Sequence, residues 1–307
     1  MGDATTESSA DLVRASIRLP PRGAVRRADL TPYLLLAPNT LWLVLFLIGP
    51  LFLLGSISFQ GYEAGKGILD TEGLGNYGSF LGDPFFRDVL WRTLALGAMT
   101  TVGCLVLGFP LAFALSRLRG IRRSLLYFVL LMPLLTSAVV RTFGWMILLS
   151  NNGVINRTLM DLGLTDDPIK MMYSMTGIVI ALVEVLLPFM VLALDAALLN
   201  IDLHLYEAAQ NLGARKARIF LQVTMPLALP GVISGSVLVF TLAVSAFVTP
   251  SLIGGPRIKL MATLIYQQSM GLLNWPFGAA IAFVMLFTIL ALFMLTFRLT
   301  SAQQRAT

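Results

Sequence analysis

The chain has 307 residues, 57% of them hydrophobic and only 12% charged, where ordinary soluble domains carry about 25% charge. With a mean hydropathy of +0.81, it is excluded from the soluble globular classes and reads as an integral membrane protein. The net charge of +6 would suit a nucleic-acid partner, but no basic patch interleaved with aromatics occurs, and basic residues in a membrane protein set topology instead.

The first thirty residues are polar and carry Arg14, Arg18, Arg22, Arg26 and Arg27. No apolar core followed by a small-residue cleavage site is present, so a cleaved signal peptide is not expected. Residues 1–30 are read as a tail, 31–300 as one transmembrane domain and 301–307 as a second short tail. Apolar windows long enough to cross the hydrocarbon predict six helices, near Leu34–Phe59, Leu94–Leu115, Leu125–Leu149, Thr176–Leu199, Gly231–Leu252 and Phe277–Phe297. Backbone in lipid must satisfy its own hydrogen bonds, so the expected fold is all-α with six transmembrane helices.

An even number of spans puts both termini on one side. The two tails and the segments around 116–124 and 200–230 hold 14 Lys and Arg, against seven in the other three loops. The richer side is expected to be cytoplasmic. Pro38, Pro50, Pro110, Pro133, Pro188 and Pro250 fall inside the expected spans and predict kinks. Gly231 and Gly235 make a GxxxG step in the fifth span, a packing signal. The loops at 61–82 and 150–175 are Gly-rich, mixed in charge and long enough to dock a soluble partner.

Most side chains that could carry chemistry have a plainer reading. Cys104, the only cysteine, lies in an apolar run and is expected to be buried and inert. His204 is the only histidine and belongs to no Cys/His cluster, so no metal site is expected. Asn156-Arg157-Thr158 matches a glycosylation sequon by chance. No GxxxxGK[ST] phosphate loop occurs; Gly65-Lys66-Gly67 lacks both the upstream glycine spacing and the Ser or Thr. No nucleophile–base pair points to a membrane enzyme.

Charges inside spans are costly and face a partner or a water-filled cavity. Arg141 lies eight residues before the outer end of the third span and Glu184 eight residues after the outer start of the fourth. Each is therefore about 12 Å deep at the helical rise, and they form a candidate pair. Two readings stand side by side: a salt bridge locking two helices, or a carboxylate at Glu184 facing the path and attracting an ammonium, with Trp145, Phe189, Phe247 and Tyr266 offering ring faces. Asp195, near the inner end of the fourth span, reads as an interfacial charge without a role.

The polar stretch EAAQNLGARKARIFLQVTMP, residues 207–226, lies between the fourth and fifth spans, on the cytoplasmic side. Tyr206–Leu212 is expected to form one short helix with Glu207 near its positive end, Gly213 a turn, and Ala214–Gln222 a second helix carrying Arg215, Lys216 and Arg218. Pro226 and Pro230 are expected to stop that helix and redirect the chain. Read on spacing alone, the segment suits a docking device for a partner, a solvated connector, or an interfacial helix held on anionic headgroups.

Glu207-Ala208-Ala209, three residues, Gly213, nine residues, then Val223-Thr224-Met225-Pro226 resembles the EAA loop of permease subunits of bacterial ABC importers. The resemblance extends over about residues 30–300 and is similar to the spermidine/putrescine-type branch through Pro133–Ser137 with Arg141–Trp145, Asn152–Asn156, Ala246–Pro250 with Leu252–Pro256, Leu264–Gln268 and Asn274–Gly278. It implies a type I importer permease fold and a coupling loop at 200–230, where Glu207, Ala208, Ala209, Gly213, Arg215 and Pro226 would meet a separate cytosolic ATPase dimer. That dimer, and not this chain, would bind ATP and Mg. A second permease subunit and a periplasmic or extracellular binding protein would complete a transporter in the bacterial cytoplasmic membrane, with a small amine as solute. Relatives of the branch also import opines, aminobutyrate and aminoethylphosphonate. The rival class is a stand-alone channel or ion-coupled carrier, which would need no ATPase.

Overall fold

The structure, a computed structural model, describes residues 31–306; the expected tail 1–30 and Thr307 lie outside the described residues. The chain divides into two units, Met1–Phe52 and Leu53–Thr307. In the first, the described residues belong to the helix Thr31–Ser58, which holds Pro38 and Pro50 internally and stacks Trp42 on Phe46 with ring centroids 4.2 Å apart. This helix is the first span and its last turns open the second unit.

In the second unit, the loop expected at 61–82 is a small folded module. An antiparallel hairpin, Gln60–Glu63 with Gly67–Glu72, is followed by a helix Gly75–Gly82. Asn76 Nδ2 donates to the carbonyls of Ser58 and Gln60, each at 2.9 Å, which pins the hairpin to the helix before it. Asp83 then caps the second span, Pro84–Arg117, by accepting from Phe85 N at 2.8 Å, with Pro84 in the first turn. Proline is tolerated there because that N–H has no partner in the helix.

Spans two, four (Met175–Leu199) and five pack into the core, whose buried residues include Cys104, Leu115, Met190, Leu194 and Val239. Lipid offers no hydrophobic drive between helices, so close approach matters most. The second span meets its neighbours at glycines: a Cβ on Gly103 would lie 2.8 Å from Val183, and one on Gly108 3.1 Å from Met190. Gly231 and Gly235 of the fifth span do the same against Ala193 and Met190 of the fourth, as the GxxxG step predicts.

The third, fifth and sixth spans need correction. The third span is not one helix: Ile121–Leu131 runs into a 3-10 turn, Met132–Leu135, and after Thr136 and Ser137 a new helix, Ala138–Leu149, begins, the segments 121–135 and 138–161 being bent by 96°. Pro133 starts the break, and extended backbone at Thr136 completes it. The fifth span does not begin at Gly231. It is a single helical run, Lys216–Ser245, with a π turn at Phe220–Thr224; Pro226 falls in the first turn after the π segment and Pro230 inside the helix, so neither stops it. Its outer end is earlier than expected, because extended backbone at Ala246 separates it from a π turn Pro250–Gly254. Gly255, at φ +54, turns the chain where a side chain would strike the Tyr173 ring. The sixth helix, Trp275–Ala306, continues beyond Phe297 into the expected tail at 301.

Between spans three and four, the helix Val154–Asp161 is fastened by Asn156. Its amide donates to the carbonyls of Ser150 and Ile169 at 3.0 and 3.1 Å and accepts from Ile169 N at 2.9 Å. Asn156 is fully buried, so the sequon match is a structural side chain.

Candidate functional site

The segment between the fourth and fifth spans, here called the lever, follows the expected order with shifted ends. Asp202 caps its first helix, Leu203–Asn211, by accepting from His204 N at 2.9 Å. The negative charge at the helix's positive end is thus Asp202; Glu207 sits mid-helix, where it faces His204 Nδ1 at 3.3 Å. Gly213 adopts φ +76, and Gly213 N and Ala214 N donate back to Gln210 and Ala209 at 2.9 and 3.0 Å. Glycine suits this left-handed corner because it has no Cβ to clash. Arg215 occupies the cap position of the helix that starts at Lys216 and becomes the fifth span.

Glu207, Ala208 and Arg215 are exposed, Ala209 half-buried and Pro226 exposed. The structure therefore brings Glu207 to Gly213 and Arg215 onto one corner. Leu212, which follows the helix Leu203–Asn211, is 88% exposed.

Arg141 and Glu184 are paired, with Arg141 Nε 3.6 Å from Glu184 Oε2. Trp145 Nε1 donates to the same oxygen at 3.4 Å. Helical spacing places Arg141 and Trp145 on one face of Ala138–Leu149. Arg141 has a second task that the sequence hides. Its Nη1 donates to the carbonyl of Pro133, which also accepts from Thr136 Oγ1 at 2.8 Å. That carbonyl also accepts from Thr136 N at 3.4 Å, so the guanidinium adds a bond across the break to a carbonyl already satisfied locally. Glu184 keeps 30% of its side chain exposed, and Arg141 14%.

Phe247 and Tyr266 form their own pair, with centroids 5.0 Å apart. Phe247 lies in the break after the fifth span, and the link to the charged cluster is the buried hydroxyl pair Thr142 and Thr249, 3.2 Å apart. Phe189 is packed into the core instead. An apolar groove of about 340 Å³ between spans two, five and six, lined by Thr101, Phe240 and Phe293 among others, contains none of the candidate residues.

Asp195 is a correction. It is 2% exposed and accepts from Arg123 Nη2 at 2.8 Å and from the Tyr127 hydroxyl, while its Oδ1 has no partner. The first half of the third span, Ile121–Leu131, has no fully buried residue among the described side chains; Leu126, Tyr127 and Leu130 pack against the core, and this polar contact adds a tie to the fourth span. The signal in the sequence was the spacing Arg123 to Tyr127, one turn apart on a single face. Its partner 68 residues from Tyr127 is not readable from spacing.

The helical spans and the polar segment between the fourth and fifth of them define a polytopic permease. The binding-protein-dependent transport system inner membrane component family matches residues 104–306, and the chain belongs to this family of ABC importer permeases. Over 239 residues it is 38% identical to the spermidine/putrescine transport system permease protein PotB of Escherichia coli, covering 78% of this chain and 86% of that protein. The Haemophilus influenzae protein of the same name is 33% identical over 241 residues, covering 78% and 84%. Among solved structures, a bacterial alginate ABC transporter in complex with an alginate pentasaccharide-bound periplasmic protein aligns with a TM-score of 0.72 at 19% identity, covering 87% of this chain and 93% of the matched one. At that identity the likeness speaks for the fold, which is the type I importer permease fold. The family places the chain in the inner membrane as a multi-pass protein.

Proposed function

We propose that the chain forms half of the path of an importer for a small amine of the polyamine type, powered by a separate ATPase dimer held at residues 203–218. The observation that carries the coupling is the exposed corner at Gly213, which displays Glu207, Arg215 and the bare Leu212 together. ATP and Mg belong to that partner, and this chain supplies the lever. A second permease subunit completes the path, and a periplasmic or extracellular binding protein delivers the solute, as the named complex of the alginate transporter illustrates for that system. Both termini, including the 1–30 and 301–307 segments, face the cytoplasm by the count of basic residues.

The amine reading is supported by the names of the relatives and by Glu184. Its carboxylate is partly exposed at mid-span and is held by Arg141 and Trp145 through one oxygen, which leaves the other for a cation. Trp145, Phe247 and Tyr266 offer ring faces to an ammonium. Opine, aminobutyrate or aminoethylphosphonate remain alternative solutes for the same site.

Two experiments test the reading. Glu207→Arg is expected to lose association with the ATPase; undiminished pull-down with undiminished hydrolysis would remove the lever from the account. Glu184→Gln is expected to lower uptake of a cationic amine more than that of a neutral analogue, and wild-type rates for both would remove Glu184 from the path. Uptake that persists in vesicles without nucleotide hydrolysis would favour the ion-coupled carrier.

A further inference from the structure

The lever helix Leu203–Asn211 must be fastened to the spans it is meant to move, and the only described aromatic on it is Tyr206, immediately before Glu207. Tyr206 is half-buried. The guanidinium of Arg117, at the last turn of the second span, lies 5.0 Å from the Tyr206 ring centroid and 4.8 Å from that of Phe113. Among the described residues Arg117 has no carboxylate within ion-pair distance, so the two ring faces are its partners. From the other side, Thr224 Oγ1 donates to the Tyr206 hydroxyl at 3.3 Å. Thr224 is buried at the end of the π turn in the fifth span, and Phe220 of that turn meets Phe109 and Phe113 edge-on at 5.6 and 5.7 Å.

Three elements thus share one cluster: the lever through Tyr206, the second span through Phe109, Phe113 and Arg117, and the fifth span through Phe220 and Thr224. The fifth span is helical without interruption from Lys216 to Ser245, so displacement of its inner end is carried along its length. We propose that Tyr206 and Arg117 are positioning residues that make the lever, the second span and the fifth span move as one body, converting motion of the lever into opening of the path. The proposal rests on the reading that the lever receives an ATPase.

The test uses the complete transporter, reconstituted with its ATPase and binding protein, with uptake and hydrolysis measured together. Tyr206→Ala and Arg117→Met are expected to keep the ATPase bound and hydrolysing while solute carried per ATP falls by about threefold to tenfold, the factor that loss of a cation–π contact corresponds to. Tyr206→Phe keeps the ring and loses only the weak hydroxyl contact, so it should stay within about twofold. A merely structural role would lower hydrolysis and uptake together and leave their ratio unchanged. An unchanged ratio in Tyr206→Ala overturns the proposal, and so does release of the ATPase by that variant, which would make Tyr206 a docking contact. If Tyr206→Ala does not reach the membrane, Arg117→Met, which keeps an apolar stem and removes the cation, decides by the same ratio. Failure of the underlying reading is separately visible: Glu207→Arg would then hold the ATPase as tightly as the wild type.

Discussion

Replacing Asp195 by alanine removes the carboxylate that ties the first half of the broken third span to the fourth. Breaking a buried pair from one side costs about 3–5 kcal/mol when the remaining charge is sealed from water. Arg123, however, keeps 26% of its side chain exposed, so it recovers part of its hydration and the cost falls to about 1–3 kcal/mol. The molecule carries its own reporter, since its single cysteine, Cys104, is fully buried in the core. Thermal unfolding in detergent, followed by a thiol-reactive dye, reads the exposure of Cys104 directly. Asp195→Ala should lower the melting temperature by several degrees. Arg123→Ala combined with Asp195→Ala should be less damaging than the sum of the two, because removing both leaves no unpaired charge. An Asp195→Ala protein that melts with the wild type, or single changes that add without coupling, would refute this account of the contact.

At Gly235 a side chain has no room, with Met190 Sδ at 2.8 Å and Ala193 Cβ at 3.1 Å from an added Cβ; Gly235→Leu should destabilise by about 1–3 kcal/mol or more and appear as reduced yield and lower melting in the same dye assay. Gly213→Val forces a β-branched residue into φ +76, at a cost of about 1–2 kcal/mol, and should weaken ATPase pull-down while leaving the melting of the core unchanged. Asn156→Ala deletes the three side-chain bonds that tie Ile169 and Ser150 to the helix Val154–Asp161, so limited proteolysis should cut between Ser150 and Met171 faster than in the wild type.

How much was legible in the sequence varies with the range of the interactions involved. The turn at Gly213 was readable because a left-handed corner demands a residue without a Cβ, and the GxxxG step because close helix approach demands the same. The pairing of Arg141 with Glu184 was expected from depth along an unbroken third span; the contact is present, although the break before Arg141 removes the premise of that depth argument. The break at Thr136 was not readable, since a proline inside an apolar run is compatible with a kinked helix as well as with a broken one. Pro226 and Pro230 misled in the opposite sense. Pro226 falls just after the π turn that already interrupts the regular backbone bonding, and a neighbouring span can support a proline such as Pro230 inside a helix. Glu207 was placed at the helix start because its cap, Asp202, lay outside the stretch that carries the motif.

The sequence by itself determined the solvent of the protein and the family to which it belongs. These follow from hydropathy and from a motif whose positions are all close along the chain. Only the tertiary structure decided what the charges do. Asp195 is a sealed anchor and not an interfacial charge, Arg141 adds a bond across a broken helix while it holds Glu184, and Arg117 lies between two aromatic rings. Each outcome depends on which distant segment supplies the partner. Burial and partnership in three dimensions set the cost of a charge in an apolar bundle, and no local spacing encodes them.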